Sequence, residues 1–350
     1  MAFPGRELDD GENKKQHLNL SALAYDVVQN DWNAFGAATR SAFINRIFKY
    51  HSPLAEASIS RMLNQRQGEL ERLLAGIGGD ESTKRLVIKA LLKEETARLI
   101  ENTKSYGKGA VLKIWLNKEN VDYLTAPESE CREEAYYGER RGNYIKCVVE
   151  EYARLPYMQR ERIYFSPFLQ EIETALQREC QLRVKTGKET VYSVYPYRVC
   201  HDPLATANYL IGFSRRYSCP GESLRPCSFR ISALASVKAE KSKSAFLKQD
   251  RRKELEQLMA GRGVQFLPTE EKEIRIRLTE AGRVKYKRQV HLRPKHIREE
   301  GDIFVFQCTE AQAQFYFFKF GEDAEILQPE ALRRKFKALY ERAAFVYEDE

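Results

Sequence analysis

In KKQHLNLS (14–21) Leu18 and Leu20 alternate with His17 and Asn19, and in AVLKIWL (110–116) Leu112, Ile114 and Leu116 alternate with their neighbours. Such period-two alternation predicts strands with one buried face and one outward face. Each strand leads into helical spacing. After the first, Ser21 is placed to cap a helix carrying Leu23, Val27 and Val28 inward, and Ser41 to cap a second carrying Phe43, Ile44, Ile47 and Phe48. This second helix is expected to pause before Pro53, because a residue preceding proline is pushed out of the α region. After the second strand, Asn117 is placed to cap a short helix. In GNYIKCVVEEYARL (142–155), Tyr144, Ile145, Val148 and Val149 then repeat the spacing of Phe43, Ile44, Ile47 and Phe48. Between the two copies, STKRLVIKALLKEETARLIENT (82–103) predicts a helix with Leu86, Ala90, Leu91 and Leu99 on one side.

A strand followed by two helices is the half-unit of a ribbon-helix-helix fold, so two copies read as a complete ribbon pair within one chain. The alternative is that any two amphipathic helices share this spacing. Further along, KSKSAFLKQDRRKELEQLMAGRG (241–263) reads as a basic connector that becomes a helix and stops at Gly261. EIRIRL (273–278), VKYKRQV (284–290), IFVFQC (303–308) and FYFFKF (315–320) are expected as strands. PEALRRKFKALYERAAFVY (329–347) is expected as a helix with Leu332, Phe336, Leu339 and Ala343 along one face. The expected divisions are 1–160, 161–247 and 248–350.

At 350 residues, 43% hydrophobic and 31% charged, the chain can bury cores for two or three domains. It has no apolar run of membrane-spanning length, and its opening MAFPGRELDDGEN lacks the apolar stretch of a signal peptide. Seven cysteines without a CxxC pair favour a reducing cytoplasm over a disulfide framework or a zinc site. Catalytic signatures do not emerge. The five histidines never fall at i,i+4 spacing and no Walker-type glycine loop occurs. Cys200-His201-Asp202 are adjacent on a strand before a turn at Pro203, so they cannot converge on one site. Glu94-Glu95 and Glu150-Glu151 read as surface charge. A non-catalytic protein without metal or cofactor is expected. The net charge of +8 is uneven: residues 161–247 hold 13 Lys and Arg against eight Asp and Glu. A basic balance attracts polyanions.

That basic region contains YSVYPYRV (192–199), NYLIGFSRR (208–216) and SFRISALASV (228–237), which together resemble the core of a WYL domain. In that family a Pro-containing strand is followed by Trp-Tyr-Leu and then by an arginine strand. Asn208-Tyr209-Leu210 and Phe229-Arg230 stand in the equivalent places. Asn208 replaces the family's Trp, and Ala233 replaces a second arginine. Arg-Pro at 293–294, QFYFFKFGEDAEILQPEALR (314–333) and the final helix resemble the C-terminal extension of WYL proteins. GNYIKCVVEEYARLPYMQRERIYF (142–165), leading into the barrel, resembles the accessory WYL proteins found beside type VI-D CRISPR effectors. The resemblance implies an α+β protein with a ribbon-helix-helix-like front, a small Sm/SH3-like barrel at 161–247, and an α/β extension that dimerises. It also implies that Tyr209 and Arg230 recognise a negatively charged or nucleotide-like ligand.

Two sets of candidate binding residues follow. On the ribbon, Lys15, His17, Asn19, Lys113 and Trp115 would project outward, where Asn addresses a base edge, Lys meets phosphate and an exposed Trp stacks on an unpaired base. Otherwise Trp115 is a buried anchor. In the barrel, Tyr195, Arg198, Tyr209, Arg215, Arg216 and Arg230 offer guanidinium forks for phosphate and rings for stacking, although Arg215 and Arg216 equally suit a solvated hairpin end. The expected function is a homodimeric nucleic-acid-binding regulator. Single-stranded RNA is the leading ligand and a type VI-D effector the implied partner. A DNA-binding repressor whose barrel senses a ligand and a protein-interaction module are the alternatives.

Overall fold

The computed structural model describes residues 15–102, 110–125, 141–187, 189–202, 206–267 and 271–347. The readings given for the first dozen residues, for Pro203 and for the Leu99 side chain lie outside the described residues. The chain divides into two compact units, Met1–Ser166 and Pro167–Glu350. Among the described residues no helix is long and apolar enough to cross a membrane.

In the first unit β1 (Lys15–Leu20) and β2 (Ala110–Trp115) form a two-stranded antiparallel ribbon. The inner face buries Leu18, Leu20, Leu112 and Ile114, as the alternation requires. β1 is followed by α1 (Ala22–Phe35) and α2 (Arg40–Ala75), and β2 by α4 (Lys118–Thr125) and α5 (Arg141–Arg154), with α3 (Glu81–Asn102) between the copies. Phe43, Ile44, Ile47 and Phe48 of α2 and Tyr144, Ile145, Val148 and Val149 of α5 are all fully buried where these helices pack. Burial of such side chains stabilises by about 1.5–3 kcal/mol each before chain entropy is counted.

Ser21 does cap α1, accepting from the Ala24 amide, but the buried face is Ala24, Val28, Asp31 and Phe35, which leaves Leu23 exposed. Thr39, not Ser41, caps α2. α2 also continues through Pro53 instead of pausing. The buried side chains before the proline and Ala55 beyond it hold the helix together against a penalty of about 3 kcal/mol. On α3, Leu86 and Leu91 are exposed.

α6 (Tyr157–Tyr164) completes the first unit and α7 (Ser166–Gln177) leads into the second. There β3 (Cys180–Thr186), β4 (Val191–His201), β5 (Asn208–Arg216), β6 (Arg225–Arg230) and β7 (Leu234–Ser244) form an antiparallel sheet in the order β6-β5-β4-β3-β7. This sheet is not closed into the expected barrel. β6 pairs with β5 and β7 with β3, and the 3-10 turn Ile231–Ala233 carries the chain from one edge to the other. Ile231 is fully buried at that turn. At Gly212 a Cβ would collide with the Tyr195 carbonyl, beside the irregular register at Pro196 and Arg198.

After α8 (Gln249–Arg262), the chain forms a second antiparallel sheet from β8 (Glu271–Leu278), β9 (His296–Glu300), β10 (Ile303–Thr309) and β11 (Ala324–Gln328), in the order β11-β8-β10-β9. Against it pack α9 (Glu280–Arg288), α10 (Glu310–Phe317) and α11 (Glu330–Phe345). Two expected strands are therefore helical. Thr279 caps α9 and Thr309 caps α10, and a cap placed just before an aromatic run decides for helix over strand. Of the helix face expected along α11, Leu332 and Phe336 are 0% and 3% exposed within this sheet's own core, Leu339 is half-buried and Ala343 is exposed.

Candidate nucleic-acid interface

The antiparallel register sets Lys15 opposite Trp115, His17 opposite Lys113 and Asn19 opposite Val111. All six side chains point away from the buried leucines and are exposed, so the five ribbon residues singled out in the sequence share one face with no carboxylate among them. Trp115 is 54% exposed, and Lys15 Nζ lies 5.8 Å from the centre of its ring.

A clamp that local pattern does not reveal orients Trp115. Its amide donates to Ser41 Oγ at 3.1 Å and its carbonyl accepts from Asn45 Nδ2 at 2.7 Å, so backbone bonds on both sides turn the ring outward. Asn45 Oδ1 in turn accepts from the Asn117 amide at 2.9 Å and from Asn120 Nδ2 at 2.8 Å. Asn117 caps α4 as its position suggested, accepting from the Asn120 amide at 3.0 Å. One buried amide from α2 thereby fixes the end of β2 and the start of α4. Three asparagines at 45, 117 and 120 were the available signal, but they become a network only when two distant segments meet.

Polar groups also tie the helices beneath the ribbon. Glu150, read above as surface charge, is only 3% exposed; its carboxylate accepts from the Ser21 amide at 2.7 Å and the Ser21 hydroxyl at 2.6 Å. Asp31 is equally buried, accepting from Tyr152 Oη at 2.8 Å and Arg160 Nε at 2.7 Å. His51 sits in this core edge-on to Tyr152, with Nε2 3.9 Å from Glu151 and with no hydrogen bond on either ring nitrogen among the described residues. Burial pushes its imidazole down to about 4 and pushes the Glu151 carboxyl up, against the pull of Arg154.

The sheet candidates are placed differently. Cross-strand pairing puts Tyr195 beside Phe213, Arg198 beside Ile211 and Tyr209 beside both Cys200 and Arg230. This face is covered by α8, whose Leu255 packs on Ile211 and Phe213, with Tyr195 and Tyr209 at the margin. The Tyr195 hydroxyl accepts from Gln181 at 3.0 Å. Arg198 is paired with Glu256 at 3.2 Å, and Arg215 Nη1 donates to the Pro220 carbonyl at 2.5 Å. Arg216 is exposed at the strand end, where its amide donates to Glu222. Arg198 is thus already matched by a carboxylate of α8 and Arg215 by a turn carbonyl, while Tyr209 and Arg230 are cross-strand neighbours. Cys200-His201-Asp202 do not converge: Asp202 accepts from the Thr206 and Ala207 amides at 2.7 and 2.9 Å and so organises its own turn. Burial pushes the Cys200 thiol up. Among the described residues no group of three or more His, Cys, Asp and Glu is placed to hold a metal ion.

Residues 270–344, the second sheet with α9, α10 and α11, match the model of the WCX domain. The C-terminal part of this chain is thus similar to a WCX domain. WCX domains accompany WYL domains, which agrees with the WYL-like segments at 192–237 just upstream. Among solved structures the chain is similar to a CRISPR Cas-related protein. The identity is 23%, 96% of this chain and 95% of that one are covered, and the TM-score is 0.75, a likeness of fold along nearly the whole length. Proteasome accessory factor B/C of Arthrobacter aurescens overlaps over 69% of this chain and 37% of its own at 14% identity, but with a TM-score of 0.28 that carries no argument. No curated protein matches.

Proposed function

We propose that this WCX-domain protein is a nucleic-acid-binding regulator that binds single-stranded RNA through its ribbon, as an accessory of a type VI-D CRISPR effector. The observation that carries this reading is the outward face of Lys15, His17, Asn19, Lys113 and Trp115, presented by a strand-helix-helix pattern that occurs twice, as in a ribbon-helix-helix pair. The exposed Trp115 ring suits an unpaired base, which only a single strand offers freely, while the lysines suit its phosphates. The fold likeness to a CRISPR Cas-related protein and the WCX match support the accessory role. Duplex DNA is the second reading, favoured by the ribbon itself, since a two-stranded ribbon fits a major groove where Asn19 would meet adenine. A homodimer remains part of the proposal, with the exposed Phe315, Phe345 and Tyr347 as its contact in place of the buried stripe.

Anisotropy with labelled single-stranded RNA, single-stranded DNA and duplex DNA at two salt concentrations tests the reading. RNA should bind most tightly, and Trp115→Ala should cost about 1–3 kcal/mol. Removing Lys15 and Lys113 together should flatten the salt slope by about 1.4, two contacts at 0.7 each. Unchanged RNA affinity in a folded Trp115→Ala, Lys113→Ala variant removes the ribbon from consideration, and a preference for duplex DNA selects the second reading.

A further inference from the structure

The WCX domain holds a concavity of about 490 Å³ beside α9 and β9, floored by Tyr286 and Phe304 and walled by Arg283, Lys287, Arg293 and Lys295. This size suits a small ligand. Its charges differ from those around it. Elsewhere in the domain Arg275 pairs with Glu300, Arg277 with Asp302 and Glu325, Arg298 with Glu273, and Lys285 with Asp323. Among the described residues, no carboxylate lies within ion-pair distance of any of the four basic residues of the wall, although the exposed Glu299 also lines the rim.

Two of the four are held by backbone carbonyls. Arg283 Nη2 donates to the Gly301 carbonyl at 2.8 Å, and its guanidinium lies 5.7 Å from the Phe304 ring. Arg293 Nη1 donates to the carbonyls of Tyr286 and Lys287, each at 3.3 Å, and lies 5.2 Å from the Tyr286 ring. Leu292, immediately before it, adopts a left-handed φ of 51°, a conformation a branched side chain seldom takes, and this bend turns Arg293 back over the end of α9. Guanidinium groups beside exposed aromatic surface offer planes on which a nucleobase stacks. Lys287 and Lys295 are exposed, and a lysine ammonium on its flexible stem is suited to meeting a phosphate.

The geometry points to a binding site for a phosphorylated nucleotide, with the base on the Arg283 and Arg293 planes and the phosphate between Lys287 and Lys295. Such a group arrives either as a free nucleotide or as the 5′-phosphorylated end of a strand. The site shares no residue with the ribbon and stands or falls without it.

Calorimetry on the full chain, with AMP, a short 5′-phosphorylated RNA and its unphosphorylated twin as probes, tests the proposal. The phosphorylated probes should bind, and Lys287→Glu or Lys295→Glu should each weaken them about tenfold, since a charge-assisted contact is lost. Lys335→Glu, an exposed charge change on α11, should leave them unchanged. Binding of AMP assigns a free nucleotide, and binding of the phosphorylated RNA alone assigns a strand end. The proposal is overturned if neither AMP binding nor a 5′-phosphate-dependent increment of RNA binding is seen, if the pocket variants leave both unchanged, or if Lys335→Glu weakens binding as much as the pocket variants.

Discussion

Acidification should loosen the unit that carries the ribbon, because His51 is buried neutral beneath it. In the unfolded chain the imidazole titrates at the ordinary 6.5, and in the fold at about 4. The folded value is the lower one, so the unfolded chain takes up the proton more readily; the contribution is complete above pH 6.5 and is lost as pH falls toward 4. The gap corresponds to about 3 kcal/mol in full, of which about 2 kcal/mol has gone by about pH 5. Glu151 acts in the opposite sense, since a carboxyl pushed up by burial recovers stability as it protonates on acidification. Comparison with His51→Leu isolates the histidine. The chain's two tryptophans, Trp32 and Trp115, both lie in the first unit, so urea unfolding followed by their fluorescence reports on that unit alone. Between about pH 7.5 and pH 5 the wild type should lose about 2 kcal/mol more than His51→Leu, with His51→Phe serving if the leucine variant does not fold. An equal loss in wild type and variants would refute the reasoning and place the acid sensitivity elsewhere.

Asn45→Ala removes the clamp on Trp115 and leaves several buried partners without bonds, so it should cost about 1–3 kcal/mol in thermal unfolding and weaken RNA binding although Asn45 touches no ligand. Unaltered RNA affinity in that variant would mean the orientation of Trp115 does not matter for binding. Gly212→Ala drives a methyl into the Tyr195 carbonyl and should destabilise the five-stranded sheet by about 3 kcal/mol or more; a melt within 1 °C of wild type would show that the sheet relaxes freely at that crossing.

The sequence by itself determined the elements whose signals are local. Alternating Leu18, Leu20, Leu112 and Ile114 defined both ribbon strands and, through the pleat, the outward placement of Lys15, His17, Asn19, Lys113 and Trp115, because a period of two leaves each side chain only one face to occupy. The matching spacings at 43–48 and 144–149 likewise anticipated two buried helices. Misreadings arose where two local signals compete, as in VKYKRQV and FYFFKF, whose β-prone residues are overruled by the caps at Thr279 and Thr309. The tertiary structure alone decided which charges remain available. Residues 161–247 hold the basic excess by count, yet Arg198 there is matched by Glu256, 58 positions away, while Arg283, Lys287, Arg293 and Lys295 around Tyr286 and Phe304 have no carboxylate at ion-pair distance among the described residues. Glu150 and Asn45 look like ordinary surface residues until partners 129 and 70 positions distant reach them. A charge's partner depends on which chain segments are folded side by side, and composition carries no record of that distance.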